Sequence, residues 1–191
     1  MRIAILGGTF NPVHNGHIHL AKEAAKKLCL NKVIFTPTYI PPHKLVRRPV
    51  PPGDRLKMLR LAVSKSKKFE ISQYELEKKG RSYSINTARA FKRKCPKDSE
   101  LFFLIGADSL SGLRKWKDIA KLRKIIKFVA APRKGSSKKP PYKDIVIIDV
   151  PKRNVSSTEI RRRLHSDRSI KGLVPKTVEM YIKRRKLYRN A

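Results

Sequence analysis

Arg2-Ile3-Ala4-Ile5-Leu6 is too uniformly apolar to alternate between a wet and a dry face, so it reads as a strand buried on both sides. Similar short runs recur at Val33-Ile34-Phe35, Leu101 to Ile105, Phe128-Val129-Ala130 and Ile145 to Val150, with Phe69 to Ser72 as a shorter one. Between them lie helical patterns. Ile18, Ala21, Ala25 and Leu28 share one face, and Leu56, Leu59 and Val63 another. Asp54 is positioned to cap that second helix, and Ser82 or Ser84 to start a third running through Ala90. Further helices are predicted near Ile119–Ile125, from Ser157 to Leu164 and from Pro175 to Lys186. Strands alternating with helices require right-handed crossovers and a parallel sheet. The predicted fold is therefore α/β, a Rossmann-like doubly wound parallel sheet with helices on both faces. Its 191 residues suit a single domain spanning 1–191. Ligands on such a sheet lie beyond the carboxyl ends of the strands. The loops after Leu6, Ile105 and Val150 all belong on that edge.

The loop after the first strand is Gly7-Gly8-Thr9-Phe10-Asn11-Pro12-Val13-His14-Asn15-Gly16-His17. It holds neither G-x-x-x-x-G-K-[ST] nor G-x-G-x-x-G, so neither common phosphate loop applies. The chemistry still suits an anion. Gly7 and Gly8 permit close approach of backbone to ligand, and a helix start presents unpaired N–H groups and the positive end of the peptide dipoles. His14 and His17, three apart, can share a helix face. Taken alone, such a pair is more often a helix-cap or core pair than an anion site. No Cys, Asp or Glu lies at ligand spacing nearby, so zinc is set aside.

This stretch resembles the H-x-G-H nucleotidyltransferase superfamily, and G-G-T-F-x-P-x-H-x-G-H is most similar to its bacterial nicotinate-nucleotide adenylyltransferases. The second match is Ser156-Ser157-Thr158-Glu159-Ile160-Arg161, which resembles the family's S-S-T-x-I-R. Read from the residues, Ser156 with Glu159 is a capping box, so a helix begins here with Ile160 and Leu164 inward. Arg162 and Arg163 point away from Arg161. Ile40-Pro41-Pro42-His43-Lys44 resembles I-P-P-H-K, and Gly106-Ala107-Asp108 resembles G-A-D. Ser82 to Thr87 is similar to S-Y-T-x-D-T, and Lys115-Trp116 to the start of K-W-Y.

The resemblance implies a nucleotidyl transfer in which AMP passes from ATP to nicotinate mononucleotide. Products are nicotinate adenine dinucleotide, a precursor of NAD, and pyrophosphate. It implies His14, His17, Lys44 and Arg161 as catalytic groups. Gly7, Gly8, Thr9, Phe10, Gly16, Gly106, Asp108, Ser156, Ser157 and Thr158 would bind ATP. Ser84, Trp116, Lys117 and Arg133 would bind the second substrate, and Mg²⁺ would arrive with ATP. The chain departs from the pattern at Ser84, Asn86 and Lys117, where the family has threonine, aspartate and tyrosine. Asn86 and Lys117 both make the locality more positive, which favours the acid over the amide as acceptor. Trp116 suits a core aromatic as well as a stacking surface. An adenylyltransferase for nicotinamide mononucleotide or another phosphomonoester stays open.

Composition adds one further reading. With 47 Lys+Arg against 14 Asp+Glu, the formal charge is +33. Such a field draws polyanions, so a basic RNA-associated protein on an inactive nucleotidyltransferase scaffold is the rival from another class. No aromatic-laced module for reading bases accompanies it. No apolar run reaches the ~20 residues of a bilayer span, and the strand beginning at Arg2 leaves no space for a leader, so no membrane partner is expected. Cys29, placed among the apolar residues of a helix, reads as a buried structural thiol. Two cysteines without a disulfide or metal pattern fit a reducing cytoplasm.

Overall fold

The computed structural model describes residues 1–42, 50–131, 140–151 and 155–189, with Ala107 and Asp108 described by their backbone alone. Six strands form one sheet: β1 (Arg2–Gly8), β2 (Lys32–Pro37), β3 (Phe69–Ile71), β4 (Glu100–Gly106), β5 (Lys127–Ala131) and β6 (Val146–Ile147). All pair in parallel, in the order β3-β2-β1-β4-β5-β6. The order reverses between β1 and β4, the position at which a doubly wound sheet opens its binding crevice.

Helices cover both faces because alternate strand residues feed two separate cores. Ala4, Leu6, Val33, Phe35, Phe102 and Leu104 pack under α1 (Asn15–Lys27), α2 (Pro52–Val63), α7 (Ser157–His165) and α8 (Lys176–Arg184). Ile3, Ile5, Ile34, Leu101, Phe103 and Ile105 pack on the other side, under α4 (Ser84–Lys94) and α6 (Ile119–Ile125). Both faces of β1 are therefore dry, which is why its sequence carries no polar alternation. Full burial of each such Ile, Leu or Phe contributes about 1.5–3 kcal/mol. The described residues also form two short helices, α3 (Tyr74–Lys78) and α5 (Ala107–Leu110), and a 3-10 turn at Leu113–Lys115.

Four local expectations are corrected. Asp54 does not cap α2: Pro51 occupies the N-cap and Pro52 the first turn, where a missing N–H costs nothing. Asp54 instead accepts a hydrogen bond from the Tyr181 hydroxyl at 2.7 Å, tying α2 to α8. The inward register of α2 is Arg55, Met58, Leu59 and Val63, with Leu56 only half-buried. Cys29 is exposed, because α1 ends at Lys27 and Cys29 follows its cap at φ 48°. Leu30 takes the buried place instead. The last strand shrinks to Val146–Ile147, an edge strand paired on one side only, whose side chains are partly in water while flanking Ile145 and Ile148 are buried.

Candidate active site

β1 ends in the motif loop. Gly7 is packed so closely that a methyl there would lie 3.1 Å from the Phe103 ring, and one on Gly8 would lie 3.3 Å from the Phe10 ring. Thr9 leads to Phe10, which sits at φ 48°, a left-handed conformation that costs a bulky residue about 1–2 kcal/mol. The Asn11–Pro12 peptide is cis. His14 is then the N-cap of α1 rather than a residue of its first turn.

The two imidazoles are brought together by that cap. Their rings stack with centroids 3.6 Å apart, and the His14 backbone N–H donates to Nδ1 of His17 at 3.2 Å. With Nδ1 acting as acceptor, the ring proton of neutral His17 sits on Nε2. Phe10 meets the His17 ring edge-on at 5.0 Å. His14 is buried, and desolvation lowers its pKa to about 4. It is a neutral imidazole at physiological pH, so it brings no positive charge to the loop.

The expectation of open amides at this helix start is also corrected. Besides the His14 N–H, the Asn15 N–H is taken by the Leu173 carbonyl at 2.9 Å, and the His17 N–H by the His14 carbonyl at 3.0 Å. These three amides are therefore engaged within the protein.

The burial of His14 has a consequence for acid stability. Unfolded, the ring binds a proton near pH 6.5; folded, only near pH 4. Between those values the unfolded chain carries the extra proton, so stability is full above pH 6.5 and is lost as pH falls toward 4. The expected loss at pH 5 is about 2 kcal/mol from this residue. Urea unfolding at pH 7 and pH 5 checks it: His14→Asn, which retains a good N-cap, is expected to lose that much less than the parent.

α7 arrives from the far end of the chain and locks onto the same loop. Ser156 caps it, its Oγ accepting from the Glu159 N–H at 3.2 Å. Ser157 Oγ–H donates to the Pro12 carbonyl at 2.9 Å, and Arg161 donates from Nη1 to the Asn11 carbonyl at 2.8 Å and from Nη2 to Thr158 Oγ1 at 3.2 Å. Arg162 and Arg163 turn away to share Glu159. Val155, the residue before the cap, presses on Gly16: a methyl there would lie 2.9 Å from Val155 Cγ1 and 3.0 Å from His14 Nδ1. Both end motifs thus form one corner. Gly106 closes β4 beside open space, where an added methyl would meet no neighbour within 4 Å.

On the acceptor side, Tyr83 is the N-cap of α4 and Ser84 its first residue. Lys117 Nζ lies 4.6 Å from the Tyr83 ring centroid, which joins the two segments assigned to the second substrate. Trp116 is half-buried and stands edge-on to Phe103 at 5.6 Å and Phe128 at 5.9 Å, so it is part of the second core as well as of this wall. Lys44 and Arg133 lie outside the described residues, as does the side chain of Asp108.

Three residues around the loop went unread in the sequence. Asn11 is buried, and its Oδ1 accepts from the Tyr188 hydroxyl at 2.9 Å and from the Val50 N–H at 3.4 Å. Tyr188 is itself buried at the chain's far end, and burial raises its pKa. Arg55 is 1% exposed, and desolvation lowers its pKa. A charged residue at an inward position of α2 was the available signal for it.

The cytidylyltransferase-like family matches residues 5–163. Two proteins named probable nicotinate-nucleotide adenylyltransferase are similar along their whole length. That of Clostridium tetani is 40% identical over 197 residues, 97% of this chain and 98% of its own. That of Thermus thermophilus is 41% identical over 190 residues, 99% of this chain and 100% of its own. In fold, the chain is similar to Plasmodium falciparum nicotinic acid mononucleotide adenylyltransferase complexed with NaAD, with a TM-score of 0.80 at 19% identity over 98% of this chain and 97% of the other. With that family matching residues 5–163 and relatives about 40% identical over nearly their full length, the chain belongs to the cytidylyltransferase-like family and, within it, to the bacterial nicotinate-nucleotide adenylyltransferases.

Proposed function

We propose that this chain transfers AMP from ATP to nicotinate mononucleotide, giving nicotinate adenine dinucleotide and pyrophosphate, with residues 1–191 working as one domain. The observation that carries the reading is the single corner made by His14, His17, Ser157 and Arg161. The attacking group is an oxygen of the acceptor's 5′-phosphate, largely dianionic at neutral pH because its second pKa is about 6. It needs no general base. As its bond to the α-phosphorus forms, the bond from that phosphorus to the bridging oxygen of pyrophosphate breaks, and the electron pair leaves with pyrophosphate. The protein's task is alignment and charge stabilisation.

His17 Nε2–H is the donor for a phosphoryl oxygen, and neutral His14 buttresses it by stacking. Arg161, with Thr158 and Ser157, holds the outer phosphates. Gly7, Gly8, Thr9, Phe10 and Gly16 shape the loop, and Ser156 starts the helix that carries the arginine. Gly106 leaves space for ribose, with Asp108 as its hydroxyl acceptor; Lys44 and Arg133 add cations. MgATP is the substrate form. Magnesium would arrive with ATP as a hard cation that prefers oxygen ligands. No helix among the described residues is long and apolar enough to cross a membrane, and the reading places the work in the cytoplasm.

For the acceptor, Ser84 and Lys117 meet the nicotinate carboxylate beside Trp116, and Asn86 adds no opposing charge. A charge-assisted hydrogen bond contributes about 1.5–3 kcal/mol, so nicotinate mononucleotide is expected to exceed nicotinamide mononucleotide by ten- to a hundredfold in kcat/KM. Pyrophosphate release with MgATP and each mononucleotide is the test. Equal rates with both would remove the acceptor assignment. Silence with every phosphomonoester, together with salt-sensitive RNA binding, would support the RNA-associated scaffold instead.

A further inference from the structure

We propose that Arg55 is a positioning residue that couples the nucleotide loop to the acceptor segment through one continuous set of hydrogen bonds between side chains and the backbone. The inference rests on the adenylyltransferase reading for its substrates, but its geometry stands apart from the groups assigned to chemistry. Arg55 lies inside α2 with its guanidinium surrounded by carbonyls and no carboxylate among its described partners. Nη1 donates to Thr9 and Thr38 carbonyls, each at 2.7 Å; Nε donates to Val50 at 3.2 Å and Nη2 to Tyr39 at 3.5 Å. Burying a cation this way is costly, and only the planar fork of arginine satisfies so many acceptors at once.

Each acceptor leads somewhere. The Thr9 carbonyl belongs to the peptide that enters Phe10, whose left-handed backbone turns its ring against His17. Holding that oxygen offsets part of the cost of the conformation. The Thr38 carbonyl belongs to the peptide that enters Tyr39. In a planar trans peptide C=O and N–H point oppositely, so a donor on Thr38 oxygen aims the Tyr39 N–H away from Arg55. It meets Ser82 Oγ at 2.9 Å, and the Ser82 N–H returns to the Ile40 carbonyl at 2.9 Å. Ser82 directly precedes Tyr83, the α4 cap that faces Lys117. One side chain therefore sets both the ring beside His17 and the start of the acceptor helix. Across a peptide relay of this kind, loosening either end loosens the other.

The test is a double-mutant cycle of Arg55→Lys and Ser82→Ala, read in steady-state kinetics and in amide hydrogen exchange. Arg55→Lys retains charge but loses the fork. It is expected to fold, to lower kcat/KM for nicotinate mononucleotide at least tenfold, and to raise the KM for ATP at least threefold. Ser82→Ala is expected to do the same to a smaller degree, and the double variant to be no worse than Arg55→Lys. Tyr39 amide exchange should quicken at least tenfold in both variants, with the amides of α6 unchanged. Folded Arg55→Lys with parental kinetics, multiplicative effects, or an unmoved Tyr39 amide would overturn the coupling. Should Arg55→Lys not fold, Ser82→Ala decides through a non-hydrolysable ATP analogue: at least threefold weaker binding supports the proposal, and unchanged binding overturns it. A parent protein silent with nicotinate mononucleotide, yet showing these exchange and binding effects, would sink the substrate reading and leave the coupling standing.

Discussion

His17→Ala is expected to leave a folded protein whose kcat is lowered roughly a hundred- to thousandfold, the ~3–4 kcal/mol typical of losing one preorganised donor to a developing charge. The physical argument is in the tautomer. Because the His14 N–H occupies Nδ1 of His17, the imidazole proton is held on Nε2, and the Phe10 and His14 rings fix its direction. Alanine removes the donor without unravelling α1, whose buried Ala21, Ala24 and Ala25 carry its packing. Lost ring contacts are expected to cost about 1–2 kcal/mol, which lowers Tm by a few degrees for a chain of this size. Because the donor acts on the transition state, the KM for ATP should change far less than kcat. Single-turnover pyrophosphate release and a thermal melt settle the point together. A folded variant with near-parental turnover would remove His17 from the chemistry.

The second large effect is expected from one methyl group. Gly16→Ala places a Cβ 2.9 Å from Val155 Cγ1 and 3.0 Å from His14 Nδ1, closer than packed atoms tolerate. Val155 leads directly into the Ser156 cap, and His14 stacks on His17, so neither neighbour yields without moving a piece of the site. Overpacking of this kind costs about 1–3 kcal/mol in stability, while a displacement of about 1 Å costs about a hundredfold in rate. We expect both: kcat/KM for ATP down at least a hundredfold, with a smaller fall in Tm. Gly53→Ala is the control. Gly53 lies in the first turn of α2 with no atom within 4 Å of an added methyl, so the same change there should be neutral or stabilising by about 0.4–1 kcal/mol. Equal kinetic losses from both variants would contradict the packing argument.

Much of the fold was legible because burial on both faces leaves an unmistakable mark. The solid apolar letters of Ile3 to Leu6 and Leu101 to Ile105 announced central parallel strands, and those strands lie beside one another in the sheet. The motif letters placed the loop after β1 and the loop before α7 on the same sheet edge, where Arg161 meets the Asn11 carbonyl. Where single positions were misread, a local rule yielded to a neighbour. Asp54 was a good cap by its letter, yet two prolines took the helix start and Tyr181 claimed its carboxylate. Cys29 continued the apolar period of α1 by its letter, but the helix had already ended.

The chain's own order of residues determined the strand-helix alternation, the glycine loop after the first strand and the second helix start, because periodicity and backbone freedom are local properties that neighbouring letters carry. Only the tertiary structure decided that Ser157 and Arg161 close on the carbonyls of Pro12 and Asn11, that Tyr188 reaches Asn11, and that a buried Arg55 ties Thr9 to Thr38. Those partners are separated by tens to well over a hundred residues in the sequence, and a backbone carbonyl is the same atom at every position. Which one a distant guanidinium or hydroxyl will meet is therefore written in the packing of the sheet and its helices, not in any stretch of letters.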